Sequence, residues 1–421
     1  MNGRGRLAID GGEPVRRTRL PYARQSIDAT DVAAVSAVLT SDWLTTGPEV
    51  ARFERAFAAA AGTRAAVAVS SGTAALHLAM LALDLEPGDE VIVPSLSFAA
   101  TASCVAYVGA RPVFADVDPD TLLVDPADVE RRLTPRTRAI VAMDYAGQPC
   151  DYAALGRVAE RRGLALVADA CHSLGASYAG RPVGSLARWS AFSLHPAKVV
   201  TAGEGGVVTT DEPELAERLR ALRQHGISTA RPAADGQQGW LYEQVELGFN
   251  YRLTDIQCAL ATSQLARLPV FLDRRREIAR CYDAAFADSE LARPLVTRAG
   301  CEHAHHLYVL RLELDRPGFV QLGASRGEIY EALRAEGIGV QVHFIPIHLH
   351  PYYQRHFGTA PGDCPRAEAA YERILSLPLY PAMTEADVGD VIRAVRKVLE
   401  HFACSRSLCS ASAPGPGQSS A

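Results

Sequence analysis

Ala66-Val67-Ala68-Val69-Ser70-Ser71-Gly72-Thr73-Ala74-Ala75-Leu76 changes its period part-way along. A short apolar run suited to a strand gives way, through two serines and a glycine, to the start of a helical pattern over Gly72 to Leu83. The junction matters because hydroxyls and the unpaired amides of a first helical turn emerge together where the strand ends. The same rhythm repeats outward. Apolar runs at Glu90 to Val93, Arg111 to Ala115, Ala139 to Ala142 and Leu164 to Ala168 alternate with helical patterns at Ala99 to Val108, Pro126 to Leu133 and Tyr152 to Arg161. Such alternation implies crossover units on a mostly parallel sheet, hence an α/β fold with its ligand at the carboxyl ends of the strands.

Upstream, Val32, Val35, Val38 and Leu39 recur at helical spacing behind Asp28, which is placed to cap the helix. A second helix is expected from Pro48 to Ala60. Beyond Ala266 the pattern becomes a long helix (Phe271 to Phe286), a strand (His306 to Leu312), a helix (Ser325 to Glu336), a strand (Gly339 to Phe344) and a last helix (Glu385 to His401). We therefore expect a loose arm over residues 1–20, a large unit over 21–265, a smaller α+β unit over 266–402 and a disordered tail over 403–421, which is rich in Ser, Ala, Pro and Gly.

With 421 residues the chain can enclose a deep, dry site. A formal charge of -5 gives no basic footprint for nucleic acid, so a small-molecule ligand is expected. Nine scattered cysteines without a C-x-x-C pair, behind a first segment that lacks an apolar core, point to reduced thiols in a cytoplasm. The longest apolar stretch, Ala74 to Leu85, contains His77 and Asp84 and is too short to cross a bilayer, so no membrane partner is expected. His343, His348, His350 and His356 lack a recognised ligand spacing to a carboxylate or thiol; no metal is expected there.

Lys198 carries the strongest chemical signal. It lies between the strand-like run Ala191-Phe192-Ser193-Leu194 and the glycine-dense Gly203-Glu204-Gly205-Gly206. A desolvated lysine has a lowered pKa and can attack a carbonyl as a Schiff-base amine. Asp169 ends the run Leu164-Ala165-Leu166-Val167-Ala168, so it should emerge in the crevice, where a carboxylate can pair with a pyridinium nitrogen; it reads equally as a helix cap. His172 is placed either to donate to a cofactor's phenolic oxygen or to serve structurally. Ser71, Gly72, Thr73 and Ser193 could hold a phosphate, although the first three would also suit an ordinary cap. Phe98, past the strand Glu90 to Val93, could stack on an aromatic ring or fill the core. Together these features suggest pyridoxal phosphate.

From Leu20 to about His401 the chain resembles the DegT/DnrJ/EryC1/StrS sugar aminotransferases. The matching motifs are Ser70-Ser71-Gly72-Thr73-Ala74-Ala75-Leu76, Asp169-Ala170-Cys171-His172-Ser173-Leu174-Gly175, Ser193-Leu194-His195-Pro196-Ala197-Lys198, Gly203-Glu204-Gly205-Gly206 and Leu247-Gly248-Phe249-Asn250-Tyr251-Arg252-Leu253-Thr254-Asp255. The resemblance implies a type I aspartate-aminotransferase-like fold with pyridoxal 5'-phosphate as cofactor. It makes Lys198 the Schiff-base residue, Asp169 the pyridinium partner, His172 the contact to the ring oxygen where many relatives have glutamine, and Phe98 the stacking aromatic. Ser71, Gly72, Thr73 and Ser193 match the phosphate cup. Asn250 matches a residue that reaches the phosphate from a neighbouring subunit, implying a homodimer with shared sites.

Within the family the likeness is strongest to the branch of pseudaminic acid biosynthesis that aminates a UDP-linked 4-keto-6-deoxy-N-acetylhexosamine. It is carried by Pro21-Tyr22-Ala23-Arg24-Gln25-Ser26-Ile27, Ser41-Asp42-Trp43-Leu44-Thr45-Thr46-Gly47-Pro48 and Gly337 through Tyr353. Phe344 stands where relatives commonly have tyrosine. Carried over in this way, Tyr22, Trp43, Leu44, Thr45, Thr46, His343, Phe344, Ile345 and Pro346 are the expected sugar-nucleotide contacts, with L-glutamate as amino donor. Three other readings stand beside this one: amination of another nucleotide-linked 4-keto or 3-keto sugar, sugar dehydration as performed by relatives with histidine in place of the lysine, and a cofactor-binding sensor without turnover.

Overall fold

The structure, a computed structural model, describes residues 6–228, 242–316 and 324–404. The expected tail lies almost wholly outside the described residues. In chain order the first elements are α1 (Ala29–Leu39), α2 (Pro48–Ala61), β1 (Ala65–Val69), α3 (Gly72–Leu81), β2 (Glu90–Pro94), α4 (Ala100–Tyr107) and β3 (Arg111–Ala115). They continue with α5 (Pro126–Arg132), β4 (Thr137–Met143), α6 (Tyr152–Arg162), β5 (Ala165–Asp169) and a small hairpin of β6 (Ser177–Tyr178) and β7 (Arg181–Pro182). After these come β8 (Trp189–Ser193), β9 (Gly206–Thr210), α7 (Pro213–Arg223), α8 (Asp255–Ala266) and α9 (Leu268–Phe286). Asp28 caps α1 as its position predicts, accepting from the amides of Thr30 and Asp31 while Asp31 answers the Asp28 amide.

One sheet of seven strands, ordered β1-β9-β8-β5-β4-β2-β3, forms the centre. Pairings β8 with β5, β5 with β4, β4 with β2 and β2 with β3 are parallel, whereas β9 runs antiparallel to both its neighbours. The exception has a local cause. Parallel neighbours require a crossover, but β8 returns directly through residues 194–205, so its successor must run the other way. Because β9 reverses direction twice across the sheet, β1, β2, β4, β5 and β8 all end on the same edge. Four segments of chemical interest are therefore delivered to one rim: Ser71 to Thr73 after β1, Phe98 after β2, Asp169 at the end of β5, and Ser193 to Lys198 after β8.

Buried side chains fall into two clusters. The larger surrounds the sheet and includes Val67, Ile92, Val141, Val167 and Phe192. The smaller joins α9 to the helices Arg326–Ala335 and Glu385–Cys404 and to a three-stranded sheet of Ala292–Pro294, Tyr308–Leu312 and Ile374–Leu377. No helix among the described residues is long and apolar enough to cross a membrane.

Two expectations are corrected. The segment before Leu20 is not loose from residue 6 onward: Leu7 and Leu20 are buried in the smaller cluster, and the amides of Ala8 and Val15 both donate to the buried Glu336 carboxylate at 2.9 Å. The expected strand Gly339 to Phe344 does not form. Its neighbours change along its length: the Gly339 amide bonds Leu20 O at 2.7 Å, Gln341 makes a single bridge to Ser376, and the His343 carbonyl accepts from Tyr145 Oη. With no one strand alongside, the segment stays extended without a ladder; its His343-Phe344 peptide is cis.

Candidate active site

At the rim lies a cavity of about 430 Å³. Eleven of the sequence-selected residues line it: Tyr22, Ser71, Gly72, Thr73, Phe98, Asp169, His172, Ser193, Lys198, His343 and Phe344. Trp43, Leu44, Thr45, Thr46, Asn250, Ile345 and Pro346 lie outside it in this chain. Trp43 and Leu44 are exposed, Thr45 bridges Thr254, and Asn250 is exposed beside Gln224.

The first wall is the start of α3. Ser71 caps it, its Oγ accepting from the Ala74 amide at 3.0 Å while its carbonyl takes the Ala75 amide at 3.0 Å. The Gly72 and Thr73 amides ahead of them have no intrahelical acceptor, so this end of a buried helix suits an anion. Gly72 is required by close approach: a Cβ there would lie 2.8 Å from Ser193 Cβ. Gly206 is required for the same reason, since its Cβ would meet the Ser71 carbonyl oxygen at 2.3 Å. The glycines thus let the ends of β1 and β8 close on the same point.

Lys198 sits in a loop pinned from within. Leu194 N bonds Gly205 O at 2.8 Å, Ala202 N bonds Leu194 O at 2.9 Å, and Lys198 N bonds His195 O at 2.8 Å. Desolvation lowers the Lys198 pKa below that of a free lysine, with Cys171 and Asp169 pulling partly the other way. Its ammonium is thereby brought closer to giving up its proton, as a nucleophilic amine requires.

Asp169 is 3% exposed, and its Oδ2 accepts from Thr101 Oγ1 at 2.6 Å. Oδ1 takes a long bond from the Cys171 amide, at 3.3 Å, with the Cys171 thiol also against the carboxylate. His172 is held well below the usual imidazole pKa by burial, then by Lys198 and His343, so it is neutral; its Nδ1 is buried without a partner among the described residues. Its ring lies 4.3 Å, centroid to centroid, from that of His306, whose Nδ1 is also unpartnered. Phe344 stacks on His172 at 5.9 Å and meets Phe98 at the same distance. His343 Nδ1 pairs with Ser376 Oγ at 2.8 Å, and Tyr22 lies 5.6 Å from its ring.

Sequence reasoning missed Thr101, Met143, Glu204 and His306 in the cavity wall. Glu204 stood inside a quoted motif and could have been selected. Thr101 carried no signal of its own, since it meets Asp169 across 68 positions of sequence. His348 does not line the cavity: its ring is buried between Ser95 Oγ at 2.6 Å and Glu368 Oε1 at 2.9 Å.

Residues 25–396 match the model of the DegT/DnrJ/EryC1/StrS aminotransferase family. The chain belongs to that family. Among curated relatives it is similar to the spore coat polysaccharide biosynthesis protein SpsC of Bacillus subtilis, with 44% identity over 90% of this chain and 97% of SpsC. Among solved structures it is similar to Helicobacter pylori PseC, an aminotransferase involved in the biosynthesis of pseudoaminic acid: TM-score 0.85, 32% identity, covering 91% of this chain and 100% of PseC. It is also similar to the protein Spr1654 of Streptococcus pneumoniae in its PLP-form: TM-score 0.84, 32% identity, over 91% and 99% of the two chains. The α/β architecture is thus that of fold type I aminotransferases, and the chain is an aminotransferase acting on sugars.

Proposed function

We propose that this member of the family uses pyridoxal phosphate to transfer the amino group of L-glutamate to C4 of a UDP-linked 4-keto-6-deoxy-N-acetylhexosamine. The substrate would be UDP-2-acetamido-2,6-dideoxy-β-L-arabino-hex-4-ulose and the product UDP-4-amino-4,6-dideoxy-N-acetyl-β-L-altrosamine. The observation that carries the reading is the meeting of a desolvated lysine, a buried aspartate and an unpaired helix start in one cavity.

The residues fit that cofactor. The Gly72 and Thr73 amides, with the Ser71, Thr73 and Ser193 hydroxyls, would take a phosphate; Asp169 would hold a protonated ring nitrogen; the orphaned His172 Nδ1 has hydrogen-bonding capacity for a ring oxygen. Pyridoxal phosphate supplies an electron sink and a carrier for the amino group. Lys198 Nζ anchors it and, once released, takes a proton from carbon and returns it, assistance worth roughly a hundred- to ten-thousand-fold. Phe98 would cover the ring, and Tyr22, His343 and Phe344, which line the same cavity, would form the wall on the sugar side. Trp43 to Thr46, Asn250, Ile345 and Pro346 complete the site in this reading from a second copy or at the cavity mouth. A homodimer in the cytoplasm follows from the same family likeness, and the two hydrophobic cores support a large cofactor unit over 21–265 and a smaller one over 266–402.

Lys198→Ala is expected to abolish amine transfer; near-normal turnover would sink the reading. Incubation with the UDP-β-L-arabino 4-ulose and glutamate, followed by NMR of the product, decides the sugar. The higher identity to SpsC than to PseC favours a second reading, in which the acceptor is another nucleotide-linked keto sugar destined for a polysaccharide. No turnover of the UDP sugar, with turnover of a different keto-sugar nucleotide, would select it.

A further inference from the structure

The structure assigns Thr101, backed by Ser97, as a positioning residue that holds the Asp169 carboxylate against the cofactor's ring nitrogen. This rests on the reading of Asp169 as the cofactor's charge partner. Thr101 is 0% exposed and Ser97 1%, and their oxygens lie 2.6 Å apart. Thr101 Oγ1 lies 2.6 Å from Asp169 Oδ2. A hydroxyl carries one proton, and a carboxylate can only accept, so Thr101 donates to Asp169 and Ser97 donates to Thr101. The two hydroxyls are polarised in one direction, toward the charge, and no water needs to enter the core to satisfy Oδ2.

The bond occupies Oδ2, while Oδ1 keeps capacity for a further donor beyond the long Cys171 contact. One carboxylate oxygen is thereby fixed to the protein and the other left for a ring N–H. Thr101 also stands in the first turn of α4, where its amide donates to the Phe98 carbonyl at 3.1 Å. A single turn thus places both the donor to Asp169 and the backbone of Phe98. Without Thr101 the buried carboxylate would lose the donor that fixes Oδ2 and would hold the ring N–H less firmly, weakening the ring as an electron sink.

The test uses the cofactor-loaded enzyme and reads the pH titration of its visible absorbance, the cofactor affinity and the Tm. Thr101→Val should raise the pKa of the lysine-cofactor linkage and weaken cofactor affinity about ten- to a hundred-fold, the loss expected for one hydrogen bond to a charge. kcat should fall with little change in the KM for glutamate. Thr101→Ser should restore the wild-type titration, and Ser97→Ala should shift it in the same direction by less. Should Thr101→Val fail to fold, Ser97→Ala against wild type carries the test. A wild-type titration in Thr101→Val or in Ser97→Ala, or a Thr101→Ser variant as damaged as the valine, overturns the assignment. Asp169→Asn separates the two readings: if it shifts the titration and Thr101→Val does not, the relay alone falls; if it shifts nothing, the role of Asp169 falls and takes the relay with it.

Discussion

At the scale of the residue, three of the imidazoles that line the cavity are kept neutral. His343 is pushed down to about 4 by burial, with Lys198 adding to the effect, and His172 and His306 are pushed well below their usual value for the same first reason. A histidine whose folded pKa lies below its unfolded 6.5 takes up its proton on unfolding, so stability is lost as pH falls from 6.5 toward the folded value. Asp144 runs the other way. Burial pushes its carboxyl up to about 7, so the fold holds its proton more tightly and stability is lost as pH rises from 3.8 toward that value. The wild-type profile is the net of these opposing trends, and a variant difference isolates one of them. In the cofactor-free protein, His343→Gln should lose less Tm than wild type between pH 6.5 and about 4. Glutamine can still meet Ser376 Oγ, so the comparison retains the contact and removes the titration. Parallel Tm profiles for the two proteins would rule out His343 as a source of the acid sensitivity.

At the scale of the element, the N-terminal segment behaves as a strap. Glu336, 0% exposed, accepts the amides of Ala8 and Val15 and pairs with Lys397 Nζ at 2.8 Å; Arg16 pairs with Asp387 and Asp390. Beyond it, Leu20 and Tyr22 offer their carbonyls to Gly339 and Leu379, which carries the Tyr22 ring to the cavity. Glu336→Ala should cost about 3 kcal/mol, the low end for breaking a buried pair because Lys397 stays partly solvated. Urea unfolding measures that cost, and a higher KM for the sugar nucleotide is expected as Tyr22 loosens; an unchanged unfolding midpoint would contradict the strap. None of this was legible in the sequence, where a Gly- and Arg-rich start reads as loose because its only fixed partners are distant. The Gly339 to Phe344 run failed for a related reason: alternating apolar residues report burial, not a continuous neighbour. By contrast, the Asp28 cap was legible because a cap is decided within four residues.

At the scale of the whole molecule, the parallel rhythm was legible because each crossover unit repeats the same local period, and strand ends fixed where Asp169 and Ser71 to Thr73 would emerge. The order of strands was not, and with it went Thr101 and His306, which join the site only through pairings far apart in sequence. The expected residues that stay outside the cavity are instructive. Trp43 is 54% exposed, and Leu247, in the segment that ends in exposed Asn250, is 79% exposed. If Asn250 serves the phosphate of a second copy's cofactor, each site needs Lys198 from one chain and Asn250 from the other. Lys198→Ala and Asn250→Ala, each impaired alone, should then complement when mixed, unfolded and refolded together. Random pairing puts half the dimers in mixed form, each with one intact site, so activity should recover to about one quarter of wild type under two-fold symmetry. Recovery requires an exchange of chains, so mixing without unfolding should give less. If the refolded mixture shows only the average of its two impaired parents, each chain builds its site alone and the shared-site reading fails.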